Sequence, residues 1–473
     1  MSILLISLIV LFLFAMILLG FWSSRSQSTG DDFLVGGRRL GILTTSATQI
    51  ATSFGGGVML AQVGIGYRYG FSVLVYSSIA APLGVFLLAR FFSQWLRRQN
   101  FYTTTDWMCS QYGETKFLRA LTSGVVSFYA LASWVAQPVA AGKLLNVITG
   151  LPLEYGIILA AAVVIIYTMT GGIIAVAYTD VAQLALMLLA ILVLLPTVVM
   201  EAGGLQAVFA AVPPENLTLN AVGDDVLLAW FLAVLPGQMV KQTYHQRIFS
   251  AKSEKIAKQG LYNLSIASCL QGVWAALMGM SIYALNQTLV DQEHASIWVI
   301  QYALPPVVAA LALAAIVAAT VSSADSSLHS ASAAFTRDFY QKIFRPNASD
   351  RDVVMVSKIC VLVVGVLGIV VGVSMASVLQ VLLLGYSITA AGLFFPLILG
   401  HLWQGANRVG AISGIMSGVT ITVFFKLSEG MLPSFLPPIS AGLLGSLIAT
   451  VAGSLIGAKL ASNQHDMQTD TTD

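Results

Sequence analysis

The sequence predicts an all-α membrane protein with about thirteen transmembrane helices. Its core is an inverted repeat of five helices, and the first helix of each half is interrupted. Of the 473 residues, 57% are hydrophobic and only 9% are charged, whereas soluble proteins carry roughly 25% charged residues. Apolar stretches of spanning length follow one another along the chain, and two of them contain glycine or proline clusters. These observations together predict the fold class.

The individual helices follow from the length that crosses a bilayer, which is about 20 mostly apolar residues. The first stretch lacks the basic residues that begin a signal peptide, so it is interpreted as a retained helix. The predicted helices are 2–22, 43–66, 71–93, 119–146, 153–171, 178–200, 225–241, 259–285, 298–332, 353–375, 378–402, 408–427 and 438–459.

The positions of lysine and arginine predict the orientation. With the N-terminus outside and the C-terminus in the cytoplasm, only Arg68, Lys143 and Lys426 of the 23 Lys and Arg residues fall on the outer side. Basic loops face the cytoplasm, so segments 241–258 and 337–351 are predicted to be cytoplasmic in a multi-pass protein of the plasma (inner) membrane. The residues that this tally places in the cytoplasm include Arg119, Lys241 and Arg247.

The remaining composition excludes some classes of protein. The net charge of +2 gives no reason to expect a nucleic-acid partner. The three cysteines form no CxxC or Cys/His pattern, so neither a disulfide framework nor a zinc site is indicated.

Two predicted helices contain residues that disfavour a continuous helix. In 43–66, the run Gly55–Gly57 costs roughly 1 kcal/mol per glycine relative to alanine. In 225–241, Pro236 lacks a backbone donor and Gly237 tolerates a turn. Close packing of small residues against a neighbouring helix is the alternative explanation for the glycines.

These two helices hold corresponding positions, because each opens a group of five. An odd number of helices inverts the second group, and interrupted helices in matching positions of inverted repeats indicate a transporter binding site. The predicted parts are 1–42 with a peripheral helix and loop, the first repeat 43–200, an extracellular loop 201–224, the inverted repeat 225–402, and two peripheral helices with a tail in 403–473.

Two carboxylates lie well inside predicted helices, where a charge costs roughly 2.5–3.5 kcal/mol and usually serves a function. They are Asp180 and Asp325. Ser322, Asp325 and Ser326 share one helix face by their i, i+3, i+4 spacing, and such hard oxygens suit alkali or alkaline-earth cations. The alternative is that the serines bond to nearby carbonyls and that Asp325 pairs with His329.

Several motifs are similar to those of the sodium/solute symporter family, which includes sugar, proline, sialic acid, pantothenate and choline carriers. The matching stretches are "DDFLVGGRRLG" at 31–41, "GIGYRYG" at 64–70, "TGGIIAVAYTDVAQ" at 170–183, "HQRIFSAKS" at 245–253 and "SSADSSLHSASAAFTRDFYQ" at 322–341. The resemblance implies a sodium-coupled symporter that imports a small organic solute by alternating access, with a helix bundle rocking against a scaffold.

The resemblance also implies sodium sites on named residues. The shared site would use the backbone carbonyls of Ala51, Phe54 and Ala319 and the hydroxyls of Ser322 and Ser323. A second sodium, which some members hold, would fall on Asp180, Ser322 and Ser326, with Asp325 as a further candidate. Some members carry serine at the position of Asp325.

The solute is expected between the two interrupted helices. The candidate residues are Gln49, Ser53, Gly57, Gln62, Ser133, Trp134, Gln137, Trp230, Pro236, Gly237, Gln238, Tyr386, Ser387 and Thr389. None is charged, so a strongly charged solute would meet only helix ends and amides.

The stretch beginning "SSADSS" is locally similar to choline carriers, which surround a quaternary ammonium with tryptophans through cation–π attraction. This chain has Ser53 and Gly237 at the matching positions. A neutral, zwitterionic or monoanionic solute is therefore expected: an amino acid, a sugar, pantothenate or a short carboxylate.

Two other classes of protein remain as alternatives. An intramembrane enzyme using Asp180 and Asp325 is disfavoured, because no HExxH, GxSxG or P-loop motif accompanies them. A uniporter or channel for a small solute stays open, although paired interruptions favour alternating access.

Overall fold

The computed structural model describes residues 14–16, 18–19, 29–375, 377–428 and 437–469. Ten helices in this part are long and apolar enough to cross a membrane. Eight of them, with one shorter helix and one interrupted helix, are named core helices 1 to 10: Ile42–Tyr69, Val75–Arg98, Lys116–Thr149, Leu153–Met169, Gly171–Glu201, Asp224–Ser250, Glu254–Leu285, Pro306–Phe344, Asp350–Val373 and Val378–Leu402. The remaining two long helices are Arg408–Leu427 and Pro438–Leu460.

Short helices connect the long ones. They are Gly30–Val35, Thr104–Tyr112, Leu205–Ala211 and Ala295–Tyr302. Twelve of the predicted spans thus have helical counterparts, whereas the predicted helix 2–22 lies largely outside the described residues. The all-helical membrane fold is confirmed, and the count of thirteen is not.

Core helices 4 and 5 meet at a single residue, although the sequence suggested a separate loop over residues 172–177. Gly172 has φ 49° and ψ −164° there. Side chains rarely adopt a positive φ, so glycine lets the chain redirect within one residue. Core helix 5 consequently starts at Gly171, earlier than the predicted residue 178.

Core helix 1 is interrupted where the sequence predicted. Its first part, Ile42–Ser53, ends at Phe54, whose φ of −90° and ψ of 36° are not helical. A π-helical turn over Gly57–Gln62 then leads into the second part, Val63–Tyr69. The glycine run therefore marks a real break.

Core helix 6 is interrupted at Lys241, so the prediction of a break at Pro236 and Gly237 was wrong in position. The helix Asp224–Val240 continues through the proline, Lys241 takes φ −68° and ψ 115°, and a second helix spans Gln242–Ser250. Proline removes only its own N–H donor, so the hydrogen bonds on either side can carry the helix onward by another turn.

The packing brings the interrupted helices to the centre of the bundle. Core helix 8 packs against core helices 1, 3 and 5, and core helix 6 packs against core helices 2 and 10. Core helix 7 covers core helix 1 from the other side. The two C-terminal helices pack on each other and on core helix 10.

A buried ion network joins core helices 3 and 10. Lys143 donates to Glu293 at 2.7 Å and to Asp291 at 2.9 Å, and Glu293 accepts from the Ser377 hydroxyl and the Leu379 N–H, each at 3.0 Å. Burial would raise the pKa of Asp291, but hydrogen bonds from Lys143 and the Glu293 N–H outweigh it and hold this pKa below its ordinary value. Lys143 is thus fixed by carboxylates.

A second network closes the far end of core helix 3. Arg119, which the sequence tally placed in a cytoplasmic loop, is only 2% exposed and pairs with Asp106 at 2.9 Å and Asp338 at 2.7 Å. Asp338 belongs to the π-helical end of core helix 8. Arg119 therefore contributes to packing between helices and does not belong to a solvated basic loop.

Candidate functional site

The glycines of the first interruption allow three helices to approach the broken chain. A Cβ on Gly55 would lie 2.2 Å from the Ser323 hydroxyl oxygen, and a Cβ on Gly57 would lie 2.6 Å from Leu382. A Cβ on Gly56 would lie 2.6 Å from the Cβ of Ala140. Close packing and interruption, which the sequence offered as alternatives, therefore occur together.

The oxygens expected to bind sodium converge beside this break. The Ser322 hydroxyl donates to the Ala51 carbonyl at 3.0 Å and to the Ala319 carbonyl at 3.1 Å. The Ser323 hydroxyl donates to the Thr52 carbonyl at 2.8 Å. The Ser322–Ala51 and Ser323–Thr52 contacts join core helix 8 to core helix 1, whereas the Ser322–Ala319 contact lies within core helix 8. All of these atoms are oxygens, the ligand type that hard cations prefer. The Phe54 ring contacts the Trp274 ring, and the two ring centroids are 6.3 Å apart.

Asp180 lies in a second polar cluster that sequence reasoning saw only in part. Its carboxylate accepts from the Thr48 hydroxyl at 2.5 Å and has the Arg247 guanidinium 3.9 Å away. That guanidinium also donates to the Ser326 hydroxyl, which pairs with Thr52 at 2.9 Å. Asp180 and Ser326 are thus brought together around a cation that the chain itself supplies.

Asp325 is fully buried, but the expected partner His329 does not contact it. Neither carboxylate oxygen meets the geometry of a hydrogen bond with any residue in the described ranges, and the same holds for both nitrogens of His329. The groups that act on the Asp325 carboxylate are the N–H and hydroxyl of the adjacent Ser326. The His329 ring lies 5.4 Å from that of Phe33.

The second interruption places a cation at the centre of the molecule. Lys241 is 5% exposed, and its ammonium lies 4.4 Å from the ring centroid of Tyr244, 5.7 Å from Tyr129 and 6.0 Å from Tyr386. Tyr244 interacts in turn with the side chain of Ser53 at the first interruption. A charged side chain thus lies beside the predicted residue Tyr386, although none of the predicted solute-site residues is itself charged.

Two predicted residues stand beside this lysine. Gln238 donates to the Tyr386 hydroxyl at 3.1 Å, and its own carbonyl oxygen has no partner among the described residues. Gly237 has no room for a side chain, because a Cβ would lie 2.6 Å from the Tyr386 ring. Tyr129 stacks near Tyr386, with ring centroids 5.1 Å apart.

Other predicted residues lie near the first interruption. Gln137 accepts from the Gly56 N–H at 2.9 Å and donates to the Ser133 carbonyl at 3.2 Å, so it caps the broken helix. Ser133 pairs through its hydroxyl with Ser327 on core helix 8 at 2.8 Å. Ser387 is half-buried on core helix 10.

The structure directs several predicted residues elsewhere. Trp134 is fully buried and donates to the Gly365 carbonyl at 3.3 Å, so it packs against core helix 9. Gln62 accepts from Ser77 at 2.9 Å on core helix 2. The remaining contacts are those of Gln49 with Gly260 on core helix 7 and of Trp230 with Tyr76 on core helix 2, and Thr389 has a buried hydroxyl without a described partner.

Sequence reasoning missed six residues that the structure brings into these clusters: Thr48, Thr52, Tyr129, Lys241, Tyr244 and Arg247. Thr48 and Thr52 were detectable, because both lie one helical turn apart on the broken helix that carries Ala51. Lys241 and Arg247 were assigned to a loop by position alone. No signal in the sequence distinguished these two residues from the basic residues of a loop.

The family comparison covers most of the chain. A model of the sodium:solute symporter family matches residues 33–418. The High affinity choline transporter 1 of Homo sapiens is 29% identical over 460 residues, which cover 91% of this chain and 77% of that protein. The Osmoregulated proline transporter OpuE of Bacillus subtilis is 27% identical over 92% of this chain and 91% of its own length. The sodium/proline symporter of Salmonella typhimurium is 26% identical over 88% and 86%.

Solved structures share the fold. A Na+-coupled sialic acid symporter in a substrate-bound outward-open state aligns with a TM-score of 0.79 at 20% identity, over 96% of this chain and 97% of that one. MHP1, a nucleobase-cation-symport-1 family transporter, aligns with a TM-score of 0.61 at 15% identity, over 90% and 95%. The family match confirms the predictions of a membrane transporter that is not an enzyme, of sodium as the co-transported ion and of symport. The chain belongs to the sodium:solute symporter family.

Proposed function

We propose that sodium binds between core helices 1 and 8, on the carbonyls of Ala51, Phe54 and Ala319 and the hydroxyls of Ser322 and Ser323. The observation that carries this proposal is the Ser322 hydroxyl, which lies 3.0–3.1 Å from two of these carbonyls. A bound cation would break these hydrogen bonds: the serine hydroxyls would keep their protons and rotate them away, so that the serine and carbonyl oxygens would face the ion.

Coupling follows from where this site lies. A ligand shifts a conformational balance only as far as its affinities for the two states differ. Sodium held by oxygens of two helices favours the state in which those helices are in contact. The solute is proposed to bind beside the same break, so its affinity should be higher in that state. The coupling is reciprocal, so bound solute should raise the affinity for sodium as well.

A second sodium is proposed on Asp180 and Ser326, with Asp325 as a further ligand. Such an ion would share Asp180 with Arg247, whose guanidinium lies 3.9 Å from the carboxylate. The second ion therefore requires the guanidinium to withdraw, and its binding would be weaker than that of the first.

The solute is proposed to bind between the two interruptions, beside Ser53, Gly57, Gln137, Gln238 and Tyr386. Relatives include choline and proline transporters, so small organic solutes are the appropriate class. Ser53 and Gly237 offer no aromatic face to a quaternary ammonium. A neutral, zwitterionic or monoanionic solute is favoured over choline.

The proposed setting is the plasma membrane with the N-terminus outside, the two repeats 43–200 and 225–402, and peripheral segments 1–42 and 403–473. Lys252 is exposed in the segment that this orientation places in the cytoplasm. A cysteine at position 252 should resist an impermeant thiol reagent in intact cells and react after permeabilisation. Labelling from outside would reverse the orientation.

Proteoliposomes test the transport mechanism. Uptake should require a sodium gradient, and unlabelled solute inside should accelerate entry of labelled solute, because a carrier exchanges solutes. A flux without such counterflow would indicate a channel, and sodium-independent exchange would indicate a uniporter. Uptake driven equally well by a proton gradient without sodium would contradict the assignment of the site.

A further inference from the structure

The second interruption contains a buried cation without a counterion. Lys241 is 5% exposed, and no carboxylate of the described residues lies within ion-pair distance of its ammonium. The charged residue whose field reaches it is Arg247, which is also positive. A buried ammonium is unfavourable unless an opposite charge or full hydrogen bonding compensates it. The charge of Lys241 is therefore left uncompensated by the side chains around it, and an anionic group of a solute could compensate it.

Tyrosine rings now occupy the positions around the ammonium. The ring of Tyr244 is closest, at 4.4 Å, and those of Tyr129 and Tyr386 follow at 5.7 and 6.0 Å. Cation–π attraction replaces only part of the hydration that the ammonium lost. These rings come from core helices 3, 6 and 10, so an ion bound here would contact three separate elements.

Free hydrogen-bonding groups point to the same region. The Tyr129 hydroxyl is buried, lies near the Tyr386 ring system and makes no hydrogen bond with the residues that the structure describes. The Tyr386 hydroxyl accepts from Gln238 at 3.1 Å and interacts with the Tyr129 hydroxyl. An ammonium supplies three donors and a carboxylate accepts through two oxygens. Lys241 and the two tyrosines thus offer several hydrogen-bond donors to an anionic ligand.

We propose that Lys241 recognises the carboxylate of the transported solute, with the Tyr129 and Tyr386 hydroxyls as further donors. The carrier would then take small organic acids. This inference rests on the proposed solute site between the interruptions. A quaternary ammonium would be repelled by Lys241 and Arg247, and a solute without a negative charge would leave Lys241 uncompensated.

Binding of matched probes to the purified full-length chain tests the proposal. The probes are propionate, lactate, nicotinate and proline, each compared with its amide, together with choline, in sodium and in potassium buffers. At least one carboxylate should raise the melting temperature in sodium, and its amide should need at least tenfold higher concentration. Equal responses to acid and amide, a response to choline, or no response to any carboxylate would overturn the proposal.

Three variants locate the effect. Lys241→Gln should weaken binding of the active carboxylate about ten- to hundredfold, as expected for loss of a charged hydrogen-bond donor. Lys241→Arg should retain part of the affinity, and Lys252→Gln, at an exposed lysine, should leave it unchanged. Unchanged binding by folded Lys241→Gln would also overturn the proposal.

Sodium alone supplies the separate check. Stabilisation by sodium without solute should persist in Lys241→Gln, which shows that the variant is folded and that the cation site is intact. If sodium stabilises neither the wild type nor the variant, the proposed sodium site fails. If sodium stabilises both and carboxylates act equally on both, only the role of Lys241 fails.

Discussion

The two helix interruptions occupy matching positions of the two repeats but have opposite chemistry. The first, around Phe54, contains glycines and directs carbonyl oxygens towards the hydroxyls of Ser322 and Ser323. The second contains an extended lysine among three tyrosine rings. One break therefore offers partial negative charge to a cation, and the other offers a full positive charge to an anion.

Under the functions proposed above, one repeated element would serve two ligands. In both repeats the interruption frees backbone groups to bind a ligand. The side chains at each break then determine whether that ligand is a cation or an anion. Arg247 connects the two regions, because it extends from core helix 6 to the Thr48 and Thr52 hydroxyls of core helix 1 at 3.3 and 3.4 Å. Movement of either helix must therefore affect both breaks.

The largest expected effect comes from filling the first break. Gly55→Ala would place a Cβ 2.2 Å from the Ser323 hydroxyl oxygen and 2.7 Å from its Cβ. Such an overlap must separate core helix 8 from core helix 1. We expect sodium-driven uptake to be lost, measured with protein of verified folding in proteoliposomes.

The matched control for this variant is Gly124→Ala on core helix 3, where an added Cβ has no neighbour within 4 Å. It should transport like the wild type, because alanine also favours helix over glycine by about 1 kcal/mol. Wild-type sodium dependence in Gly55→Ala would show that core helices 1 and 8 need not touch for coupling.

The next effect concerns the link between the breaks. Arg247→Gln leaves the Asp180 carboxylate buried without its charged partner, and such a loss costs roughly 3–5 kcal/mol of the free energy of unfolding. Asp180→Asn in the same chain should recover a large part of it. Denaturation in detergent micelles measures both.

Arg98→Gln provides the control for this link. Arg98 pairs with Glu254 at 2.8 Å, but its side chain is 63% exposed, and exposed pairs contribute little to stability because water screens them. If the Arg247 variant is no less stable than this control, Arg247 is not the fixed connection between the two interruptions.

The sequence predicted the first break better than the second for a physical reason. Three successive glycines both weaken a helix and permit close contact, so propensity and packing agree at Gly55. At Pro236 the loss of one donor is local, and tertiary contacts move the break to Lys241. A residue's place in the chain also does not reveal which way it points, so a buried Lys241 was indistinguishable from a loop lysine.

The same limit applies to the walls of the site. Trp134 and Gln137 both lie on the predicted helix 119–146, but only their rotation around the helix axis decides that Gln137 caps the break and Trp134 packs on core helix 9. The motif around Ser322 was more informative, because the one-face spacing of its oxygens indicated a cation site and the family resemblance implied that this site lies against core helix 1.

Removing single oxygens should sharpen the contrast between the breaks. Ser322→Ala and Ser323→Ala each delete one hydroxyl ligand from a cation, which costs roughly 1.5–3 kcal/mol. Half-maximal uptake should then need about ten- to hundredfold more sodium, and solute affinity should fall as well. Lys241→Gln, by contrast, should weaken solute binding without a shift of comparable size in sodium binding measured alone.

Asp180→Asn separates one sodium from two. The Asp180→Asn variant should show a less steep dependence of uptake on sodium concentration, while the first sodium site still binds its ion. Normal curves for Asp180→Asn and for both serine variants would place the cation elsewhere.

The smallest expected effect concerns the cap of the first break. Gln137→Ala removes the acceptor of the Gly56 N–H, which now bonds at 2.9 Å, and the space left can admit water to that donor. A neutral hydrogen bond contributes about 1 kcal/mol, so the sodium concentration for half-maximal uptake should rise roughly fivefold. Gln99→Ala, at an exposed position, should change nothing. A loss as large as that of Ser322→Ala would mean that Gln137 contacts the solute or the ion directly, and that the first interruption is built from side-chain ligands more than from backbone carbonyls.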